Sequence, residues 1–174
     1  VIAPEFSRPV RIDTLGPEPR RVTIEAEPAE REALARRFSL VAIDRLSAEA
    51  DVSINDGEVT ARGRVAAAVT QSCVASAEPV AAVIDEPFDL VFRPGPGAGP
   101  EEEIELGESE LDVVFFEGGA VDLGEAAAET MSLALDPYPR APNAAEALKA
   151  AGVKSEEEAG PFGALAGLRD KLKK

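Results

Sequence analysis

Within "TQSCVASAEPV", residues 70–80, stands the single cysteine of the chain, Cys73, and three residues on, where a C-x-x-C pair would place its partner, stands Ser76. Two thiolates at that spacing could grip a metal or cycle through a disulfide; one thiolate beside a hydroxyl does neither. Nucleophilic use of Cys73 would require a base, and the chain contains no histidine. No cationic residue lies within several positions to stabilise a thiolate locally. The residue types therefore favour a buried corner at a strand end, with Cys73, Ser76 and Pro79 as its structural members.

Carboxylates are the other candidates for chemistry. They are so numerous, 33 Asp and Glu in 174 residues, that pairs at catalytic spacing arise by chance. No spacing singles out one acid and one base. An oxygen-ligand site for a hard cation would have to lie around Glu101–Glu110, yet the D-x-[DN]-x-[DN]-G calcium-loop pattern is missing. The glycines of "RPGPGAGPEEE" (93–103) lack a following Lys-Ser/Thr and end in three carboxylates, so they do not form a phosphate cradle. The absence of histidine also removes Ser-His-Asp catalysis, HExxH sites and mixed-ligand zinc sites. No metal or other cofactor is expected, and a solvated acidic face is the favoured reading of the acids.

That face is unevenly built. Residues 1–50 carry eight arginines against nine acids, whereas residues 51–174 carry ten bases against 24 acids. From Glu78 to Asp136 there are sixteen acids and one base, Arg93. Such a surface repels a phosphate backbone and attracts a cationic polypeptide, although net charge also serves simple solubility. Glu101, Glu102, Glu103, Glu105, Glu108 and Glu110 are its densest run and the candidate partner-binding residues. The closing segment "PFGALAGLRDKLKK" adds a helical stripe of Phe162, Leu165, Leu168 and Leu172 with Lys171 among its bases. At about 14 residues such a helix is marginal alone, so it must dock on its own domain or on a partner.

The elements that would position these residues follow from periodicity. "RVTIEA" reads as a strand burying Val22, Ile24 and Ala26. "PAEREALARRF" reads as a helix over 28–38, with Pro28 at its start and basic residues at its end. Residues 40–92 read as a three-stranded antiparallel meander turned at Asp56-Gly57, with a bulge near Asp44 and "CVASAEP" as the second connection. Leu40, Ala42, Leu46, Ala48, Val52 and Ile54 share one side of its first strand. Val59, Ala61, Val65, Ala67, Val69 and Cys73 line one face of the second. Pro87 marks an edge or bulge in the third. "LDVVFF" is a further strand closed by Gly118-Gly119, and Asp122 with Glu125 forms a capping-box-like start to a helix over 122–135. A short helical piece near Ala144–Ala150 interrupts an otherwise irregular segment.

In this order the pieces resemble the YceD-like family, the large ribosomal RNA subunit accumulation proteins. A strand running into "TQSCVASAEPV" is similar to the family's C-x-x-C turn, with Ser76 in place of its second cysteine. "GGAVDLGEAAAETMSLALDPYPRAP" resembles its acidic turn, "DL" helix start and helix exit. "GPFGALAGLRDKLKK" resembles its closing signature, and "PEFSRPVRIDTLG" the opening of members. The resemblance implies a non-enzymatic part in making or stabilising the large ribosomal subunit.

The expected fold is α+β: an antiparallel sheet, open or curled toward a barrel-like meander, with two or three packed helices. Residues 1–137 are expected as one domain carrying an acidic loop at 93–110, and 138–174 as an extended C-terminal segment. The expected partner is a basic ribosomal protein or a large-subunit precursor, with RNA contact indirect or weak and no small-molecule substrate. No run of about 18 apolar residues exists to span a membrane. The opening "VIAPEFSRPVRIDTLG" lacks the pattern of a secretory signal, so the cytoplasm is the expected compartment. The competing readings are a carboxylate-based hydrolase and a general acidic interaction module. A hydrolase should show convergent acids in a deep pocket.

Overall fold

The computed structural model describes residues 4–95 and 112–154. The chain divides into two compact units, one of Val1–Gln71 with Ala81–Asp136, the other of Ser72–Val80 with Pro137–Lys174. The second unit thus joins the Cys73 turn to the C-terminal segment.

In chain order the described elements are β1 (Pro9–Arg11), a 3-10 turn (Ile12–Thr14), β2 (Arg20–Glu25), α1 (Pro28–Arg37), β3 (Ala42–Asn55), β4 (Glu58–Ser72) and β5 (Pro79–Pro94). β6 (Asp112–Phe116), β7 (Ala120–Asp122), α2 (Leu123–Leu133) and α3 (Ala144–Ala150) follow. One sheet has the order β2-β3-β4-β5-β6, and a second is the pair β1-β7. The α+β class therefore holds. The curl into a barrel does not occur, because β2 and β6 remain separate edges of an open sheet.

β3 and β4 form the centre, a hairpin of 14 and 15 residues turned at Asp56-Gly57, both with positive φ. That conformation is cheap for glycine and tolerable for aspartate. The alternation Val59, Ala61, Val65, Ala67, Val69 buries one face of β4 as the pattern predicts. On β3 a register shift between Ile43 and Arg45 is the expected bulge. It has a consequence that plain alternation misses. Before the bulge the buried residue is Ile43 rather than Ala42; after it Leu46, Ala48, Ala50 and Val52 point inward. Asp44 is left exposed.

The sheet is not wholly antiparallel. β6 pairs with β5 in parallel, Leu90 opposite Asp112 and Pro94 opposite Phe116. Side-chain alternation has the same period in both directions, so it carries no information on strand sense. Because β6 reaches only Leu90–Pro94, Pro87 lies on a stretch of β5 that β6 does not flank. A missing N–H costs no ladder bond on such a side.

Both longer helices begin with side-chain chemistry. At α1, Glu30 reaches back to the Glu27 N–H at 2.7 Å and also takes a two-pronged grip from Arg8. At α2, Asp122 accepts from the N–H groups of Gly124 and Glu125. Glu125 does not complete a capping box; its carboxylate binds Arg37 of α1 at 2.6 and 3.0 Å. Among the described residues Phe6, Leu34, Leu46, Val52, Val59, Val65, Val69, Phe92, Val121 and Met131 are the largest fully buried side chains. Phe6 and the β1-β7 pair were not apparent from periodicity.

Candidate interaction surface

Arg8, Arg11, Arg21, Arg37, Arg62 and Arg64 of the first half are engaged by acids of the same fold. Across the solvent face of the sheet, Arg21 of β2 lies 3.5 Å from Asp51 and 3.9 Å from Glu49 of β3. Arg62 and Arg64 of β4 bind Asp89 and Asp85 of β5 at 2.8 and 2.7 Å, and Arg93 binds Glu58 at 2.7 Å. Charge thus alternates from strand to strand, as cross-strand pairing favours. Each exposed pair contributes little to stability, but each cancels a negative charge. The Arg64 guanidinium holds the Asp85 carboxyl below its usual range. Arg8 does the same to Glu30. Glu5 is lowered first by a backbone N–H and then by Arg37. Asp13 is held down by Arg11. These displaced carboxyls all move toward the charged form, the opposite of what a general acid needs.

Of the acidic stretch from Glu78 to Asp136, then, Asp85, Asp89 and Glu125 are cancelled by the protein's own arginines, and Asp122 is spent on capping. Among the described residues Glu78, Glu86, Asp112, Glu117 and Glu129 are exposed and have no ion pair. Of these, Asp112 and Glu117 stand at the two ends of β6. Glu101, Glu102, Glu103, Glu105, Glu108 and Glu110 lie outside the described residues, as do Phe162, Leu165, Leu168 and Lys171.

The Cys73 turn is built from backbone donors. The Cys73 N–H donates to Glu78 O and its carbonyl accepts from Ala77 N, closing the loop between β4 and β5. Ala77 has φ 59, the strained point of the turn. The sulfur is buried and accepts from Ala141 N at 3.2 Å and Ala75 N at 3.4 Å. With the Ser76 hydroxyl, these donors bring the thiol down from 9.0 to about 7, the Ala141 N–H being the largest influence and burial opposing it. Ala141, Ala144, Ala75 and Val80 pack around it. Pro79 opens β5 and is exposed. Sequence patterns gave no sign of the Ala141 donor, which sits 68 residues away.

The depressed thiol pKa implies a pH effect of definite sign. The folded state favours the thiolate, so the contribution is absent below pH about 7, grows between 7 and 9, and is complete above 9. Cys73→Ala removes the acceptor for Ala141 N. The stability difference between wild type and this variant, read by urea unfolding at several pH values, should widen as pH rises from 7 to 9. A difference that stays flat over this range would show the sulfur to be a neutral thiol throughout.

An open groove of about 450 Å³ lies between α1 and the start of β3, lined by Arg31, Glu32, Ala35, Arg36, Leu40 and Val41 among others. Its acids, Glu32 and Asp44, are accompanied by two arginines, so it offers no concentration of carboxylates. Among the described residues no group of three or more His, Cys, Asp or Glu side chains is placed to hold a metal ion. Nor is any described helix long and apolar enough to cross a membrane.

No curated protein and no solved structure matches this chain. A family model does: the one described as "Large ribosomal RNA subunit accumulation protein YceD" matches residues 61–169. That span runs from near the start of β4 through the Cys73 turn, β5, β6, β7, α2 and α3, taking in the cysteine corner and the acidic run. With well over half of its length inside the match, the chain belongs to the YceD family, named for the accumulation of large-subunit ribosomal RNA.

Proposed function

We propose that this protein supports the accumulation of large-subunit ribosomal RNA without catalysing a reaction, by holding a basic ribosomal protein or a precursor particle through its acidic surface. Family membership supports the ribosomal context. The observation that carries the mode of action is the disposition of charge. Arginines close on the sheet acids, while the sequence from Glu101 to Glu117 contains eight acids and no base. Cationic ribosomal proteins are drawn to such a field, whereas RNA phosphates are repelled by it.

In this reading RNA contact is indirect or weak, the compartment is the cytoplasm, and no small molecule is turned over. Glu101, Glu102, Glu103, Glu105, Glu108 and Glu110 supply the attraction. Phe162, Leu165, Leu168 and Lys171 supply an amphipathic second contact. Cys73, Ser76 and Pro79 shape a corner of the scaffold.

Tagged protein purified from its native host at low salt should bring down one or more basic ribosomal proteins. Those proteins should be lost at about 0.5 M salt, where the screening length falls below about 5 Å, and kept after nuclease treatment. Capture of ribosomal RNA by the purified protein alone, with no ribosomal protein bound, would overturn the proposal.

A further inference from the structure

β6 is an edge strand with an unusual combination of features. Among the described residues it is paired on one side only, in parallel with β5. The Phe116 carbonyl accepts from Gly95 N at 2.9 Å, so it faces β5. In a parallel ladder the residues that face a neighbour alternate, and those between them present N–H and C=O to the other side. Val113 and Phe115 are therefore the residues whose backbone groups point away from the sheet. No described residue bonds to them there. Exposed edges of this kind are templates for another strand, and proteins ordinarily blunt them with lysine, proline or a bulge. β6, reading Asp-Val-Val-Phe-Phe, has none of these. Its Phe115 side chain is 52 % exposed, while Val114 and Phe116 pack against the core.

The charge around this edge selects the partner. Asp112 and Glu117 stand at its two ends, and the sequence leading into it carries the six glutamates between 101 and 110. Arg93, across on β5, is engaged by Glu58. The opposite edge, β2, carries Arg20, Arg21 and Glu25, with Arg21 drawn to Asp51 and Glu49 of β3, so it lacks a comparable acidic character. An extended cationic segment is thus favoured at the β6 edge over the β2 edge.

We propose that the outer edge of β6 receives an extended lysine- or arginine-rich segment of a protein partner as an added strand. Backbone bonds form to Val113 and Phe115, an apolar side chain lies on Phe115, and cationic side chains meet Asp112 and Glu117. This rests on the reading of the protein as an acceptor of basic polypeptides and specifies how the segment is held. Main-chain bonds would supply affinity and alternate side chains specificity, the general logic of strand addition.

The test uses the full chain and a synthetic peptide of four Lys-Val repeats, with binding read by fluorescence anisotropy. N-methylation of alternate peptide amides leaves the charge intact and removes the donors, so affinity should fall at least tenfold. Val113→Pro deletes one outward N–H at an edge position that tolerates proline, and should weaken the unmodified peptide similarly. The methylated peptide makes the result independent of how well that variant folds. A third arm changes the six glutamates between 101 and 110 to glutamine. Equal binding of methylated and unmodified peptides, with loss only in the glutamine variant, would overturn strand addition and leave the acidic docking reading standing. Undiminished binding to the glutamine variant would overturn the docking reading itself.

Discussion

Gly63→Ala should destabilise the protein by about 3 kcal/mol or more, at the upper end of what overpacking costs. Gly63 sits in the middle of β4, opposite Ala50 of β3. A Cβ built there runs into the carbonyl oxygen of Glu49, and it lies 2.8 Å from the Ala50 Cα and 2.9 Å from the Glu49 carbonyl carbon. All three obstacles are backbone of the neighbouring strand, so no side chain can rotate away. Either the hairpin spreads and loses ladder bonds, or the strand bulges and turns its alternation over. Gly16→Ala is the control, since a Cβ there meets nothing within 4 Å, and should fall within about 0.5 kcal/mol of wild type. Urea unfolding of the three proteins measures the difference. A cost below about 1 kcal/mol for Gly63→Ala would mean that the two central strands give way easily.

Asp122→Ala is expected to cost about 3 kcal/mol, more than the loss of an ordinary helix cap at about 1 kcal/mol. Its carboxylate does two jobs at once. One is to cap α2 through Gly124 N at 2.9 Å and Glu125 N at 3.2 Å. The other is to bind Ser7 Oγ at 2.5 Å and Arg8 N at 2.8 Å. Those latter bonds hold the segment that delivers fully buried Phe6 to the core and Arg8 to Glu30. Gly124 completes the arrangement, for a Cβ there would strike the Phe6 carbonyl. Asp122→Asn keeps an acceptor for the helix and should recover about half of the loss, because hydrogen bonds to a neutral oxygen are the weaker kind. If Asp122→Ala costs only the capping amount, residues 6–8 are held by something other than this carboxylate.

The parts legible in the sequence were those set by local pattern. β4 announced its buried face, because five apolar residues alternate around Arg62 and Arg64 with only Gly63 breaking the series. Pro28 and Asp122 marked their helix starts by chemistry confined to one turn. The unread parts depend on distant neighbours. Three-residue strands such as β1 and β7 are too short to show a period, and nothing in "LDVVFF" tells a parallel partner from an antiparallel one. Glu125 has the right spacing to close a capping box, yet Arg37 outbids the helix for it. Charge was legible only as a sum. That Asp85 and Asp89 are answered by Arg64 and Arg62 required the register of the sheet. The Cys73 corner was read correctly as a turn between strands, while the Ala141 N–H that bears most strongly on its sulfur could not be seen.

Ser7 and Asp122 are 115 positions apart, and this sets an order of assembly. The long β3-β4 hairpin joins near neighbours and can close as soon as it is made. Residues 6–8, by contrast, have no seat until the start of α2, more than a hundred positions further on, has been made. Contacts that close so wide a loop come late and slowly. Phe6 therefore stays unseated until the start of α2 has formed, and docking of this strap is expected to follow closure of the β3-β4 hairpin.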